Sequence, residues 1–178
     1  MTYKSYLIFL TLISVSVSIY FINENFNYYN TSHSDTENHD ESIHLIEEAE
    51  KDSLNSVLQL QAARLLQSQN EFQNALIFYR RYERHETLNS EISAEIGLLL
   101  WTLRPNVESV KYFSKSLAMD SINPGGLMGM GIATASIGES EKALLYFDKL
   151  LKYHANSEFA KVAEQWKIDL NKKRQMEE

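Results

Sequence analysis

A pattern that recurs three times at a step of 34 residues limits the folds open to this sequence. In each copy a small residue is followed directly by an aliphatic residue and, three positions after that, by an aromatic residue. The copies lie in the stretches NEFQNALIFYRRYE, RPNVESVKYFSKSL and GESEKALLYFDKLL, which begin at Asn70, Arg104 and Gly138. The aligned columns are Ala63, Gly97 and Gly131; Ala75, Ser109 and Ala143; Leu76, Val110 and Leu144; and Tyr79, Phe113 and Phe147. Because the register holds without a gap, the repeat predicts stacked copies of one module.

These columns resemble the tetratricopeptide repeat, a helix-turn-helix unit of the same length. The resemblance covers residues 56–157 and implies three units, residues 56–89, 90–123 and 124–157. In each unit the two small residues would let two helix backbones approach closely, and the aromatic residue would fill the space toward the next unit. The predicted fold class is therefore all-α, a solenoid of three helix pairs. Gly129 has no role in this pattern.

Both ends of such a solenoid need a cover, because a terminal unit otherwise exposes its apolar face. After the last unit, residues 158–178 place an apolar stripe at helical spacing, formed by Phe159, Val162, Ala163, Trp166 and Leu170. Before the first unit, residues 41–55 carry a shorter stripe of Ile43, Ile46 and Ala49. Both segments are predicted to be capping helices.

The N-terminal residues predict a membrane anchor. Residues 6–22, YLIFLTLISVSVSIYFI, contain no charged residue, and 17 residues in a helix span roughly 25 Å, near the thickness of a bilayer core. Lys4 precedes the run and Glu24 follows it, which predicts that residues 1–5 stay in the cytoplasm and that the repeats are exported. In a bacterium this describes a single-pass inner-membrane protein whose repeats face the periplasm. The alternative is a signal peptide cleaved near Ser16-Val17-Ser18, but the apolar run continues to Ile22.

Residues 23–40, NENFNYYNTSHSDTENHD, separate the predicted anchor from the repeats. They are rich in Asn, Ser, Thr and acidic residues and show no apolar period. Segments of this composition cannot bury enough apolar surface to fold alone. They are predicted to be a flexible tether.

Composition and motifs argue against several functional classes. The net charge of −7, without a basic block, argues against a nucleic acid partner, and the absence of cysteine excludes disulfides and thiol chemistry. The glycine-rich stretch NPGGLMGMGIA lacks the preceding strand and the Lys-Ser/Thr pair of a phosphate loop. His33, His39 and His44 lie in or beside the predicted tether, where nothing would hold them around a metal. We therefore expect no catalytic residues, no metal, no cofactor and no small-molecule substrate.

The tetratricopeptide resemblance implies that a ligand binds the inner face of the first helix of each unit. At i, i+4 and i+7 spacing this face carries Leu60, Arg64 and Gln67, then Ala94, Leu98 and Trp101, then Met128 and Ile132. The expected groove is largely apolar, with Arg64 as its cation and Trp101 as its central anchor. Lys and Asn, which other repeats of this type use to grip a terminal carboxylate, are absent from these places. The alternative is that a capping helix or the tether covers part of this face.

The predicted function is a membrane-anchored adaptor that binds a protein or peptide segment in this groove. Residues 136–151, SIGESEKALLYFDKLL, and the following NSEFAKVAEQWKIDL are similar to the repeat-containing subunits of bacterial cytochrome c maturation complexes of the haem-lyase type. That resemblance implies an apocytochrome or a partner subunit as the ligand. The alternative function is a structural scaffold subunit of an envelope or secretion assembly, with its groove filled permanently by a partner chain.

Overall fold

The structure of the protein is a computed structural model that describes residues 35–177, with side chains described for 42–176. This part of the chain consists of eight helices and has no strand. The helices are α1 (Asp35–Lys51), α2 (Ser56–Ser68), α3 (Phe72–His85), α4 (Ser90–Leu103), α5 (Val107–Met119), α6 (Pro124–Ser136), α7 (Ser140–His154) and α8 (Glu158–Glu177). All of the described secondary structure is thus helical.

The chain divides after Thr87 into two compact units. The first compact unit, called unit 1 from here on, contains α1, α2 and α3 and so the helices of the first repeat. The second, called unit 2, contains α4 to α8 and so the helices of the second and third repeats. Helices α2 and α3 pack as a pair in unit 1, and α4 with α5 and α6 with α7 pack as pairs in unit 2. Each pair lies inside one 34-residue repeat.

The predicted tether ends earlier than expected, and the predicted N-terminal cap begins earlier. Residues 23–40 are predicted to be a flexible tether, but α1 begins at Asp35, so residues 35–40 are helical. The reason is that extending an existing helix adds one backbone hydrogen bond per residue without a new nucleation cost. A polar segment can therefore continue a helix whose packed part, around the fully buried Ala49, lies farther along the chain.

The predicted membrane segment, residues 6–22, lies outside the described residues, as do residues 1–5 and 23–34. Within residues 35–177, no helix combines the length and the apolar character needed to cross a membrane.

An asparagine begins the first helix of every repeat. The side-chain oxygens of Asn55, Asn89 and Asn123 accept hydrogen bonds from the backbone N–H groups of Leu58, Ile92 and Gly126 respectively. Each bond satisfies one of the N–H groups that a helix start leaves without a partner. The three asparagines share the 34-residue step, so they form one more column of the repeat.

The turn between paired helices differs in the middle repeat. Asn70 in the first repeat has φ 63° and Gly138 in the third has φ 84°, and Asn and Gly are the residues that tolerate this left-handed conformation best. The equivalent Arg104 precedes Pro105 and is extended instead, with φ −167° and ψ 113°. A residue before proline is driven to extended geometry by contact with the proline ring. Asn106 then caps α5, donating and accepting in a capping box with Ser109.

Aromatic rings fill the spaces that the small residues leave in unit 2. Phe113 is fully buried, and a Cβ at Gly97 would lie 2.7 Å from its ring. A Cβ at Gly129, on α6 of the next repeat, would overlap the same ring. Gly129 is therefore required because Phe113 lies between successive repeats. Gly131 has the same relation to Phe147 within the third repeat.

Helix α8 packs on α7 and also contacts α6. Its stripe residues Ala163, Trp166 and Leu170 are buried, and the Trp166 ring stacks on Phe147 at a centroid distance of 6.1 Å. Lys167 forms an ion pair with Asp148 of α7. Helix α8 thereby covers the last repeat with one apolar face.

In unit 1, Gln59 attaches α1 to the first repeat. Its side chain is fully buried, and its Nε2 donates to the backbone oxygens of Ala49 at 2.6 Å and Asp52 at 3.0 Å. Arg81 of α3 adds an ion pair to Glu50 at 3.2 Å. A polar side chain thus takes the place where the repeat usually has an aromatic residue.

Candidate functional site

Four of the eight residues predicted to line an exposed groove are buried. Ala94, Trp101, Met128 and Ile132 are only 4%, 8%, 0% and 4% exposed. The groove predicted across these residues is therefore wrong in unit 2.

The burial has a direct packing cause. Helix α4 packs against α6, and a Cβ at Gly125 would lie 2.9 Å from Cβ of Ala94 and 3.8 Å from Cδ1 of Leu98. The face of α4 that was expected to meet a ligand meets α6 instead. Helix α6 in turn contacts α8.

Trp101 belongs to the core of unit 2. Its ring lies 6.4 Å from the Phe113 ring, centroid to centroid, at an interplanar angle of 49°. Its indole Nε1 is buried without a hydrogen-bond partner in the described structure. An anchor for a ligand would have to be accessible, so the predicted role of Trp101 is also wrong.

The three predicted residues of unit 1 remain accessible in part. Leu60, Arg64 and Gln67 are half-buried on α2. The side-chain oxygen of Gln67 accepts a hydrogen bond of 2.9 Å from the Tyr79 hydroxyl, so Gln67 belongs to the contact between α2 and α3. Leu60 and Arg64 face an open depression on the surface of unit 1.

We call this surface the unit 1 depression. It has a volume of about 300 Å³ and is formed by α2 together with the last turn of α3 and the residue after it. Its lining residues are Ser56, Val57, Leu60, Gln61, Arg64, Tyr82 and Glu86. All of these described lining residues belong to unit 1.

The depression combines apolar and polar side chains. Val57 is 65% exposed and lies beside the half-buried Leu60, so an apolar surface is open to solvent. At the start of α2, the Ser56 hydroxyl donates a hydrogen bond of 2.6 Å to Oε1 of Glu86. This bond joins α2 to the residue that follows α3, and it holds a carboxylate at the edge of the depression.

Sequence reasoning missed Val57, Tyr82 and Glu86. Val57 carried a signal, because Val57, Gln61 and Arg64 follow the same i, i+4, i+7 spacing that selected Leu60, Arg64 and Gln67. The stripe was placed about one turn too far along α2. Tyr82 and Glu86 carried no separate signal, since their positions depend on how α3 crosses α2.

The motifs that suggested other chemistry have structural roles. Gly125, Gly126, Gly129 and Gly131 lie inside α6 and pack closely against neighbouring side chains. Among residues 35–177, no group of three or more His, Asp or Glu side chains is placed to hold a metal ion. His154 is held by a 2.6 Å contact between its Nε2 and the backbone oxygen of Ile122.

No protein-family model matches the sequence. No curated protein sequence matches it either. Several solved structures do resemble its fold.

MamA matches with a TM-score of 0.62 and 10% sequence identity, over 89% of this chain and 87% of that one. The tetratricopeptide domain of Arabidopsis OM64 matches with a TM-score of 0.59 and 18% identity, over 67% of this chain and 97% of that one. YrrB, described as a tetratricopeptide protein with an unusual peptide-binding site, matches with a TM-score of 0.57 and 16% identity, over 86% and 84% of the two chains. At such identities the likeness concerns the fold, and the chain has the tetratricopeptide-repeat fold.

Proposed function

We propose that this protein is an adaptor that binds a peptide segment of another protein in the unit 1 depression. The observation that carries the proposal is the exposed Val57, 65% accessible beside Leu60 in a concave surface with polar groups at its edge. Concave surfaces that expose apolar side chains and carry a few polar groups are typical binding sites. The likeness to YrrB, whose description includes a peptide-binding site, supports the same function.

A peptide-library selection against the full-length, detergent-solubilised chain tests this proposal. We expect selected peptides to lose about tenfold or more in affinity for Val57→Glu, because the new carboxylate would have to be desolvated against an apolar ligand. Leu145→Glu is the matched control, since Leu145 is 68% exposed, lies on α7 and does not line the depression. Equal binding to both variants would contradict the proposed site.

We propose further that residues 6–22 anchor the protein in a bacterial inner membrane, with the repeats in the periplasm. The support is the uncharged apolar run between Lys4 and Glu24. The protein should stay in the membrane pellet after carbonate extraction, and external protease should reach the repeats in spheroplasts. Release by carbonate, or a mature N-terminus near Ile19, would contradict the uncleaved anchor.

Cytochrome c maturation is the pathway we propose for this adaptor, on the similarity of residues 136–151 and the following helix to the subunits of that system. Phe147 and Trp166 in these segments are buried and stack on each other, so the similarity concerns packing rather than ligand contacts. A direct test is binding of a synthetic C-terminal apocytochrome peptide, which Val57→Glu should weaken. A permanently bound partner chain that co-purifies in equal amount would instead support the scaffold function.

A further inference from the structure

The negative charge of the protein is concentrated in unit 1. Residues 35–52 contain eight Asp and Glu residues and one Lys, a net charge of −7 that equals the charge of the whole chain. Residues 35–87 contain eleven acidic and five basic residues, a net charge of −6, whereas residues 88–178 contain twelve and eleven, a net charge of −1. The unit that carries the depression is therefore the one whose field attracts cations.

The depression itself has an anionic end. Glu86 is exposed, and its Oε1 accepts a hydrogen bond from the Ser56 hydroxyl; its other carboxylate oxygen has no partner among residues 42–176, whose side chains the structure describes. The exposed Asp52 lies four residues before Ser56 in the chain, which places a second carboxylate before the start of α2. Arg64 lines the depression two turns farther along α2, about 12 Å from Ser56 at 1.5 Å per residue. Val57 and Leu60 lie between these ends.

We infer that the ligand of the unit 1 depression is a cationic amphipathic segment. An apolar side chain of the ligand packs against Val57 and Leu60, and a Lys or Arg next to it pairs with Glu86. This inference rests on the proposed peptide-binding function and adds the chemistry of the partner. The charge of unit 1 steers such a segment to the protein and opposes acidic segments, while the apolar contact provides most of the affinity.

Two synthetic helical peptides with the same leucine stripe test the inference on the full-length chain. One carries lysines beside the stripe and the other carries glutamates at the same places. The lysine peptide should bind roughly tenfold more tightly at low ionic strength, and the difference should shrink at high salt, because exposed charges are screened. Val57→Glu should abolish the leucine contact and weaken binding of either peptide.

Two charge reversals separate a local contact with Glu86 from the general field of unit 1. Glu86→Lys and Glu71→Lys change the net charge of the unit equally, and each carboxylate accepts one hydrogen bond, from Ser56 and Asn74 respectively. Glu71 does not line the depression. We expect Glu86→Lys to reverse the preference toward the glutamate peptide and Glu71→Lys to leave the lysine peptide preferred. Circular dichroism confirms that both variants keep their helices.

The outcomes distinguish the two proposals. If both peptides bind equally at low salt and Val57→Glu weakens both, the cationic ligand is wrong while the binding site stands. If Glu71→Lys and Glu86→Lys change the preference equally, the local pairing with Glu86 is wrong. If neither peptide binds the full-length chain, the proposed function and this inference both fail.

Discussion

Single residues determine the close packing in unit 2, and Gly129 is the clearest case. It has no place in the columns of the repeat, yet its α-carbon faces the Phe113 ring with no room for a methyl group. Because Phe113 belongs to the preceding repeat, this requirement is visible only when two repeats are placed next to each other.

Gly129→Ala should destabilise the protein by about 1–3 kcal/mol, although alanine favours helix more than glycine does. The added methyl overlaps the ring of Phe113, which is itself fully buried. Chemical denaturation measures the effect. In a Phe113→Leu background the same substitution should cost nothing or stabilise, and an unchanged cost there would show that the ring is not the cause.

Trp101→Ala should lower the free energy of unfolding by about 3–5 kcal/mol, as expected for a large side chain that is 8% exposed. The affinity of the folded variant for peptides bound at the unit 1 depression should stay within about twofold of the parent, a change near 0.4 kcal/mol. Thermal melting together with a peptide titration checks both. A variant that melts like the parent but loses peptide affinity would show that Trp101 belongs to the binding site and not to the core.

At the scale of helices, the 34-residue repeat sets where the first helix of each pair begins as well as which helices pair. The small, aliphatic and aromatic columns predicted the helix pairs, and the asparagine column adds the helix starts. The turns are predictable only in part: Pro105 indicates an extended residue before it, whereas Asn70, which aligns with Gly138, is a residue type that tolerates the left-handed conformation without requiring it. The helical residues 35–40 carried no apolar signal, because helix extension there needs no packing partner.

Asn89→Ala should cost about 1 kcal/mol, the usual effect of removing an N-cap side chain. Its oxygen accepts from the Ile92 N–H at 2.8 Å, and that donor would lose its partner. Glu139→Ala is the comparison, since Glu139 precedes α7 without a side-chain cap bond and should change stability by less than about 0.5 kcal/mol. Equal costs for the two variants would show that the asparagine side chain does not stabilise the start of the helix.

The contribution of the Gln59 hydrogen bonds to the local stability of α1 can be measured separately from the global free energy of unfolding. Gln59→Leu removes two hydrogen bonds to the backbone oxygens of Ala49 and Asp52, each worth about 0.5–1.5 kcal/mol. Amide hydrogens of residues 42–51 should then exchange about tenfold faster or more, since each 1.4 kcal/mol is a factor of ten. Gln73→Leu, an exposed change on α3, should leave that exchange rate unaltered. Unchanged exchange in Gln59→Leu would mean that α1 is held by other contacts.

For the molecule as a whole, the fold was predictable from sequence and most of the site was not. A repeat fixes which residues face a neighbouring helix, so three pairs followed from the step of 34. The same stripe was then assumed to be exposed in every repeat. That stripe is buried at Ala94 and Ile132 but only half-buried at Leu60 and Arg64, next to the exposed Val57. A sequence pattern alone does not distinguish a covered inner face from an open one.

Hydrogen–deuterium exchange on the full-length chain, with and without a bound peptide from the library selection, locates the binding surface directly. We predict that the peptide slows exchange in residues 56–64 and 82–86, which include all the described residues that line the unit 1 depression. Protection confined to residues 90–136, with residues 56–86 unchanged, would contradict it and return the binding surface to the face that carries Leu98 and Trp101.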